Sequence, residues 1–231
     1  MSKNLIITLC LLVVAALGIG LLVYLDRDDD TAVAEGSARP TAPGASPEDQ
    51  PTAPADVLVR ENSRYLDQVE DAQVTVVEFL DFECEACRAQ YPVMERIRED
   101  YDGRINMVIR YFPLPGHHNS GPSAAAVEAA AQQDALDEMY QRMFETQAAW
   151  GESREDQSEV FVGFAEDLGL DMDEFVETME AAETQQRVQA DFDDGVALGV
   201  QGTPTIYVNG RLAPSMPSYD VLSAMIDAEL E

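Results

Sequence analysis

Hydrophobic and polar positions change period several times along this chain, and each change marks an element. Residues 5–25 carry no charged side chain, a run that matches the roughly 20 residues needed to cross a hydrocarbon core. Residues 26–55 turn to Ala, Pro, Gly, Ser, Thr and Asp, with Pro40, Pro43, Pro47, Pro51 and Pro54 recurring and no apolar face to bury. A disordered linker is predicted there, with a reach of roughly 30 Å or more because proline stiffens it. The folded domain is expected over 56–231. Its first apolar segment, 57–59, is short and is expected to start a sheet. Residues 74–80 are β-branched and aromatic and predict a buried strand. A helical pattern runs from Cys84 to about Tyr101, where Asp102-Gly103 ends it. A second strand follows over 105–112, stopped by Pro113 and Pro115. A long helical region is predicted from about 122 to 200, broken near Gly151 and Gly169. A strand over 205–208 then meets the hairpin signal Asn209-Gly210, with 211–213 pairing back and an amphipathic helix closing the chain over 218–230. This order predicts an α/β domain with an all-helical insertion, about 116–200, between its two halves.

Charge and flanking residues place that domain. Lys3 precedes the apolar run and a cluster of acids, Asp26 and Asp28 to Asp30, follows it. Residues 1–25 therefore read as a single-pass transmembrane anchor with a cytoplasmic amino terminus. A cleaved signal peptide is the alternative, with Ala32-Val33-Ala34 as its site, although the apolar core is long for that role and acids intervene. Both readings put the domain on the extracytoplasmic side of the cell membrane. Cys10 lies within the run, and Leu9 before it has the wrong size for lipoprotein processing. The 44 acidic residues against 14 basic ones give a formal net charge of −30. That balance excludes a nucleic-acid binder, which needs clustered Lys and Arg, and opposes docking of the domain on anionic lipid. It fits a strongly solvated surface.

The candidate chemistry sits where the first long strand gives way to a helix. Cys84 and Cys87 form a C-x-x-C pair there. Cysteine attacks disulfides as thiolate, and the free N–H groups of a helix start favour that anion. Cys84 is the expected nucleophile and Cys87, one turn in, the resolving thiol. The alternatives are half of a zinc site and a structural disulfide. Zinc needs four ligands, and the other candidates, His117 and His118, are neighbours in one loop. A disulfide closing so short a loop constrains the unfolded chain little. No metal or cofactor is expected. His117 and His118 read as solvated turn or helix-entry residues, with participation in catalysis as the alternative if their loop approaches the site, and Met139, Met143, Phe144 and Trp150 read as core.

Three segments carry a resemblance. Val77-Glu78-Phe79-Leu80-Asp81-Phe82-Glu83-Cys84-Glu85-Ala86-Cys87, Arg110-Tyr111-Phe112-Pro113-Leu114 and Val200-Gln201-Gly202-Thr203-Pro204-Thr205 resemble the DsbA-like branch of the thioredoxin superfamily, over most of residues 57–230. The expected fold class is thus α/β, a thioredoxin fold with the helical insertion between its halves, preceded by the transmembrane helix and the linker. The resemblance implies that Pro204 is cis beside the sulfur pair and that Thr203 backbone groups pair with bound peptide. It also implies that Glu78, six residues before Cys84, is a buried acid able to accept the Cys87 proton. From the residues alone, Glu78 also reads as a strand residue facing water, and Asp81 as a strand-end cap. One departure stands out: many relatives carry Pro and an aromatic or His between the cysteines, and this chain has Glu85-Ala86. Glu83 and Glu85 are expected to raise the Cys84 pKa by roughly one unit, offset in part by Arg88, giving a less oxidising couple than the strongest DsbA-type enzymes.

The function expected is therefore a membrane-anchored, extracytoplasmic thiol–disulfide oxidoreductase that oxidises exported, unfolded or thiol-containing proteins through Cys84 and Cys87. For a disulfide donor, the resemblance implies a quinone-linked membrane reoxidant of the DsbB or vitamin K epoxide reductase (VKOR) type. The alternatives are an extracytoplasmic reductase or isomerase, and a non-catalytic peptide-binding module of the same fold.

Overall fold

Two parallel strands, β2 (Val74–Leu80) and β3 (Ile105–Tyr111), form the centre of the fold in the computed structural model, which describes residues 52–231. The expected anchor and nearly all of the expected linker lie outside the described residues. Among the described residues no helix is long and apolar enough to cross a membrane. The central strands pair from Val74 beside Ile105 to Leu80 beside Tyr111. Both are covered on two faces, which is why apolar residues fill neighbouring positions in each instead of alternating with polar ones. β1 (Arg64–Asp67) lies antiparallel outside β3, and β4 (Thr205–Val208) lies antiparallel outside β2. β5 (Arg211–Leu212) closes the hairpin, so the sheet order is β1-β3-β2-β4-β5. Asn209 and Gly210 adopt φ of 46° and 83°, the left-handed pair that a two-residue hairpin turn requires.

The start of the domain departs from expectation. Residues 57–59 do not begin the sheet; α1 (Ala55–Leu58) is one helical turn that buries Leu58. The first strand comes later, and its polar ends, Arg64 and Asp67, hide its period from the sequence. Ala53, within the span read as linker, already donates its N–H to the Gly210 carbonyl at 2.8 Å.

One face of the sheet packs under α2 (Glu85–Asp100) and α8 (Tyr219–Leu230), where Val74, Val76 and Met107 meet Met94, Ile97, Leu222 and Ile226. The other face carries Val77, Phe79, Val108 and Phe112 against Leu58, Val200 and Phe192. The expected helical region resolves into α3 (Ser120–Ala131), α4 (Leu136–Trp150), α5 (Ser158–Leu168), α6 (Met172–Glu180) and α7 (Ala182–Ala197). Gly151 and Gly169 end α4 and α5 as expected, Gly169 at a φ of 76°. Two further breaks, at Asp134 with φ 61° and at Ala181, carry no glycine or proline to announce them. The bundle is built around α3, nine of whose twelve residues are buried. Its alanines let neighbouring helices approach closely. Met139, Met143, Phe144 and Trp150 are core, packed with Leu80 and Phe82.

The bundle is pinned to the sheet by buried charge. Arg110 on β3 is fully buried and donates to Asp191 at 2.5 Å, to Asp194 at 2.6 Å, and to the carbonyls of Val57 and Leu58 at 2.8 and 2.5 Å. Arg64 makes a two-pronged contact with buried Glu128 of α3, which also accepts the Tyr111 hydroxyl at 3.2 Å. At Gly195 of α7 a Cβ would fall 2.6 Å from the Phe112 ring, so this helix lies directly against the sheet.

Candidate active site

Strand β2 ends at Leu80, the chain turns through Asp81, Phe82 and Glu83, and α2 begins with Cys84 as its N-cap. The Cys84 N–H donates to the Asp81 carbonyl at 3.1 Å and closes that turn. Gln147, projecting from α4, donates its amide to the carbonyls of Phe82 and Cys84 at 2.6 and 2.9 Å. The helical insertion thus holds the cysteine turn in place. Cys84 keeps 8% of its surface exposed and Cys87 only 1%, so a partner meets Cys84 first. Across from it the Thr203–Pro204 bond is cis, and the Thr203 carbonyl lies 3.5 Å from the Cys84 sulfur. The sequence separation of that contact is 119 residues.

The two sulfurs occupy unlike environments. The Cys84 pKa falls to about 5, chiefly through the neighbouring Cys87 thiol, with further help from Thr203 and the amides of Cys87 and Ala86 that outweighs burial. Burial pushes the Cys87 thiol up, and Cys84 and Glu78 push it further. This reverses the expectation drawn from Glu83 and Glu85. Glu83 is buried and accepts the Asn119 N–H at 2.6 Å, at the start of α3, while Glu85 is exposed. Their charge is spent on a helix terminus and on water.

Glu78 faces inward. Its register neighbours are Ile109 on β3 and Ile206 on β4, and burial lifts its pKa to about 8, with Glu95 and Cys84 adding to the rise. The reading of Glu78 as a water-facing residue is therefore set aside. Asp81 is also buried. Its Oδ1 accepts the Glu83 N–H at 2.9 Å, its Oδ2 accepts the Leu114 N–H at 3.0 Å, and His117 Nδ1 lies 2.6 Å from the same Oδ2. Burial raises Asp81 to about 6 against the pull of those partners. His117, read from the sequence as a solvated turn residue, is half-buried and held by Asp81; His118 is exposed. Burial opposes the charge on His117, but Asp81 outweighs it and raises the pKa. Among the described residues no group of three His, Cys, Asp or Glu side chains is placed to share a metal ion.

A cleft of about 440 Å³ runs beside the cis bond, lined by Val200, Gly202, Thr203, Pro204, Ala213 and Pro214. An accessible thiol that ionises readily, a buried one that does not, and an acid poised near neutrality together suit thiol–disulfide exchange. Sequence reasoning missed Gln147 and the Asp81–His117 pair. Their contacts span 63 to 65 and 36 residues, and no local pattern signals them.

Residues 69–228 match the Thioredoxin family model. The probable disulfide bond formation protein D of Bacillus anthracis is 34% identical over 173 residues, covering 70% of this chain and 76% of that protein. The Na(+)/H(+) antiporter NhaA of Herminiimonas arsenicoxydans is 33% identical over 160 residues, 69% of this chain; the match spans only 24% of the antiporter. A solved thioredoxin-like oxidoreductase from Silicibacter pomeroyi DSS-3 superposes with a TM-score of 0.65 at 27% identity, covering 76% of this chain and 97% of that one.

Proposed function

The chain belongs to the thioredoxin family as a DsbA-like thiol–disulfide oxidoreductase, and on that premise we propose that it oxidises exported, thiol-containing proteins from a membrane-anchored position outside the cytoplasm. The observation that carries the oxidising direction is the Cys84 thiol, whose pKa lies near 5. A thiolate stabilised to that degree favours the reduced pair, and a pair that is favoured when reduced is a strong acceptor of electrons when oxidised.

In the oxidised domain a substrate thiolate attacks the Cys84 sulfur. The Cys84–Cys87 bond breaks, and Cys87 leaves and takes a proton from Glu78, which is protonated at neutral pH because its pKa is near 8. A second substrate thiolate then attacks the substrate sulfur of the mixed disulfide, which closes the substrate disulfide and releases Cys84 as thiolate. Two electrons pass from substrate to the cysteine pair. Of the two substrate protons, one balances that taken up at Cys87 and the other goes to solvent. The cleft beside Thr203 and Pro204 seats the substrate chain, with Thr203 backbone groups as its pairing partners. A quinone-linked membrane protein of the DsbB or VKOR type takes the two electrons and restores the disulfide. The uncharged run over residues 5–25 supports the anchored placement.

Equilibrating the full chain in detergent with glutathione buffers tests this reading. A potential well above thioredoxin's roughly −270 mV, toward the roughly −120 mV of DsbA, is expected. A value at or below thioredoxin's would make the protein a reductase. Cys84→Ser is expected to abolish exchange with glutathione and leave the fold intact. Proteolysis of intact cells, with the domain expected to be cut from outside the cytoplasmic membrane, tests the placement separately.

A further inference from the structure

We propose that His117 is a positioning residue of the exchange reaction, a cation gripped by Asp81 at the turn that carries Cys84, where its charge favours the Cys84 thiolate. The inference rests on the exchange chemistry proposed above and assigns a role within it. The immediate neighbours of Cys84 in sequence are the acids Glu83 and Glu85, so any positive charge at this helix start beyond Arg88 comes from elsewhere in the fold.

Three sets of bonds bring His117 there and hold it. Asp81 and Cys84 close the same tight turn, through the Cys84 N–H and the Asp81 carbonyl at 3.1 Å. The Asp81 carboxylate is oriented by two backbone donors, Glu83 and Leu114, which leave a defined place on Oδ2 for the ring at 2.6 Å. The loop that carries the ring is clamped in turn. The His117 N–H donates to the Leu114 carbonyl at 3.0 Å, the Ser120 hydroxyl donates to the His117 carbonyl at 3.2 Å, and Asn119 next door is tied to Glu83. Asp81 contacts the ring, and the charges of Cys84 at the helix start and Glu83 in the turn act on it in the same sense, all favouring the imidazolium.

Coupling between two sites is reciprocal. If His117 stabilises the Cys84 thiolate, then the thiolate stabilises the charge on His117, and oxidation to the disulfide removes that support. His117 therefore titrates at higher pH in the reduced protein than in the oxidised one. A histidine that merely braces the loop through Asp81 would titrate alike in both states.

The test uses the full chain in detergent, with the thiolate followed by ultraviolet absorbance and the cysteine pair equilibrated against glutathione. His117→Gln is expected to raise the Cys84 pKa and to shift the equilibrium toward the disulfide by about three- to tenfold, the span for a charge near a partly exposed partner. His117→Lys, which restores a cation, is expected to recover most of that loss. An unchanged Cys84 titration in a folded His117→Gln protein overturns the proposal. Should that variant fail to fold, nuclear magnetic resonance titration of wild-type His117 decides, and identical curves in the two redox states overturn it. A wild-type protein that does not exchange with glutathione at all instead sinks the proposed function, so the two failures are distinguishable.

Discussion

Two sets of buried charge sit on opposite faces of the same two strands, and they follow opposite rules. On one face Arg110 meets Asp191, Asp194 and two carbonyls, so the charge is matched on every side. On the other, Glu78 lies between Ile109 and Ile206, and the charged groups acting on it, Glu95 and Cys84, are themselves acidic. A matched set is costly to break because the partner left behind stays buried and uncompensated. It fixes where α7 and the α1 turn sit. An unmatched acid destabilises the fold once it ionises, so its pKa moves toward neutrality and its proton becomes easy to pass on. The same low-dielectric interior serves as scaffold on one face and, in the proposed mechanism, as proton store on the other.

Breaking the matched set should give the largest effect. Arg110→Met leaves Asp191 with Arg187 and Asp194 with Arg60 as their remaining cations, takes the donor from the Val57 and Leu58 carbonyls, and is expected to cost about 3 kcal/mol of unfolding free energy, the low end for a broken buried pair, read from urea denaturation. Exchange per folded molecule should stay near the wild-type rate. A variant that kept its stability and lost its chemistry would reverse the assignment of the two faces.

Neutralising the unmatched acid should do the opposite. Glu78→Gln is expected to slow thiol–disulfide exchange by about a hundredfold at neutral pH. Its effect on stability has a definite sign. The folded pKa, near 8, lies above the ordinary value of 4.5. Wild-type stability from this group is therefore full below about pH 4.5 and is lost as pH rises through about 8. The variant escapes that loss and should gain on wild type by on the order of 3 kcal/mol between mildly acidic and alkaline buffer. Parallel stability profiles for the two proteins would remove Glu78 from the proton path.

Smaller changes sharpen the contrast. Gly195→Ala drives a methyl into Phe112 and is expected to destabilise by about 1–3 kcal/mol without altering the glutathione equilibrium. Gln147→Ala leaves the Phe82 and Cys84 carbonyls without their side-chain donor. About 1 kcal/mol of stability should go with it, together with a change in exchange rate, because this amide holds the turn that carries the nucleophile.

The elements themselves were legible wherever a local period was strong. The run over 74–80, the helix opening at the cysteine pair, the Asn209-Gly210 turn and the core positions Met139, Met143, Phe144 and Trp150 all follow from patterns a few residues long. The cis bond at Pro204 followed only from the family resemblance. The first strand escaped because Arg64 and Asp67 break its alternation to make ion pairs with Glu128 and Arg98. The α3–α4 break escaped because an aspartate, Asp134, takes the left-handed conformation there.

Short-range pattern thus determined most of the strands and helices and put two thiols at a helix start, since backbone geometry and hydrophobic burial are written into neighbouring residues. Where each charge points was left to the assembled fold. Glu83 turns to the start of α3, Glu78 faces inward, and His117 lands on Asp81 through contacts that cross at least 33 positions of chain or depend on strands meeting from distant segments. The acidity of a thiol or a carboxyl belongs to its surroundings, to the water it has lost and the dipoles it has met. Those surroundings exist only once the sheet, the bundle and the cis-prolyl loop have closed around Cys84.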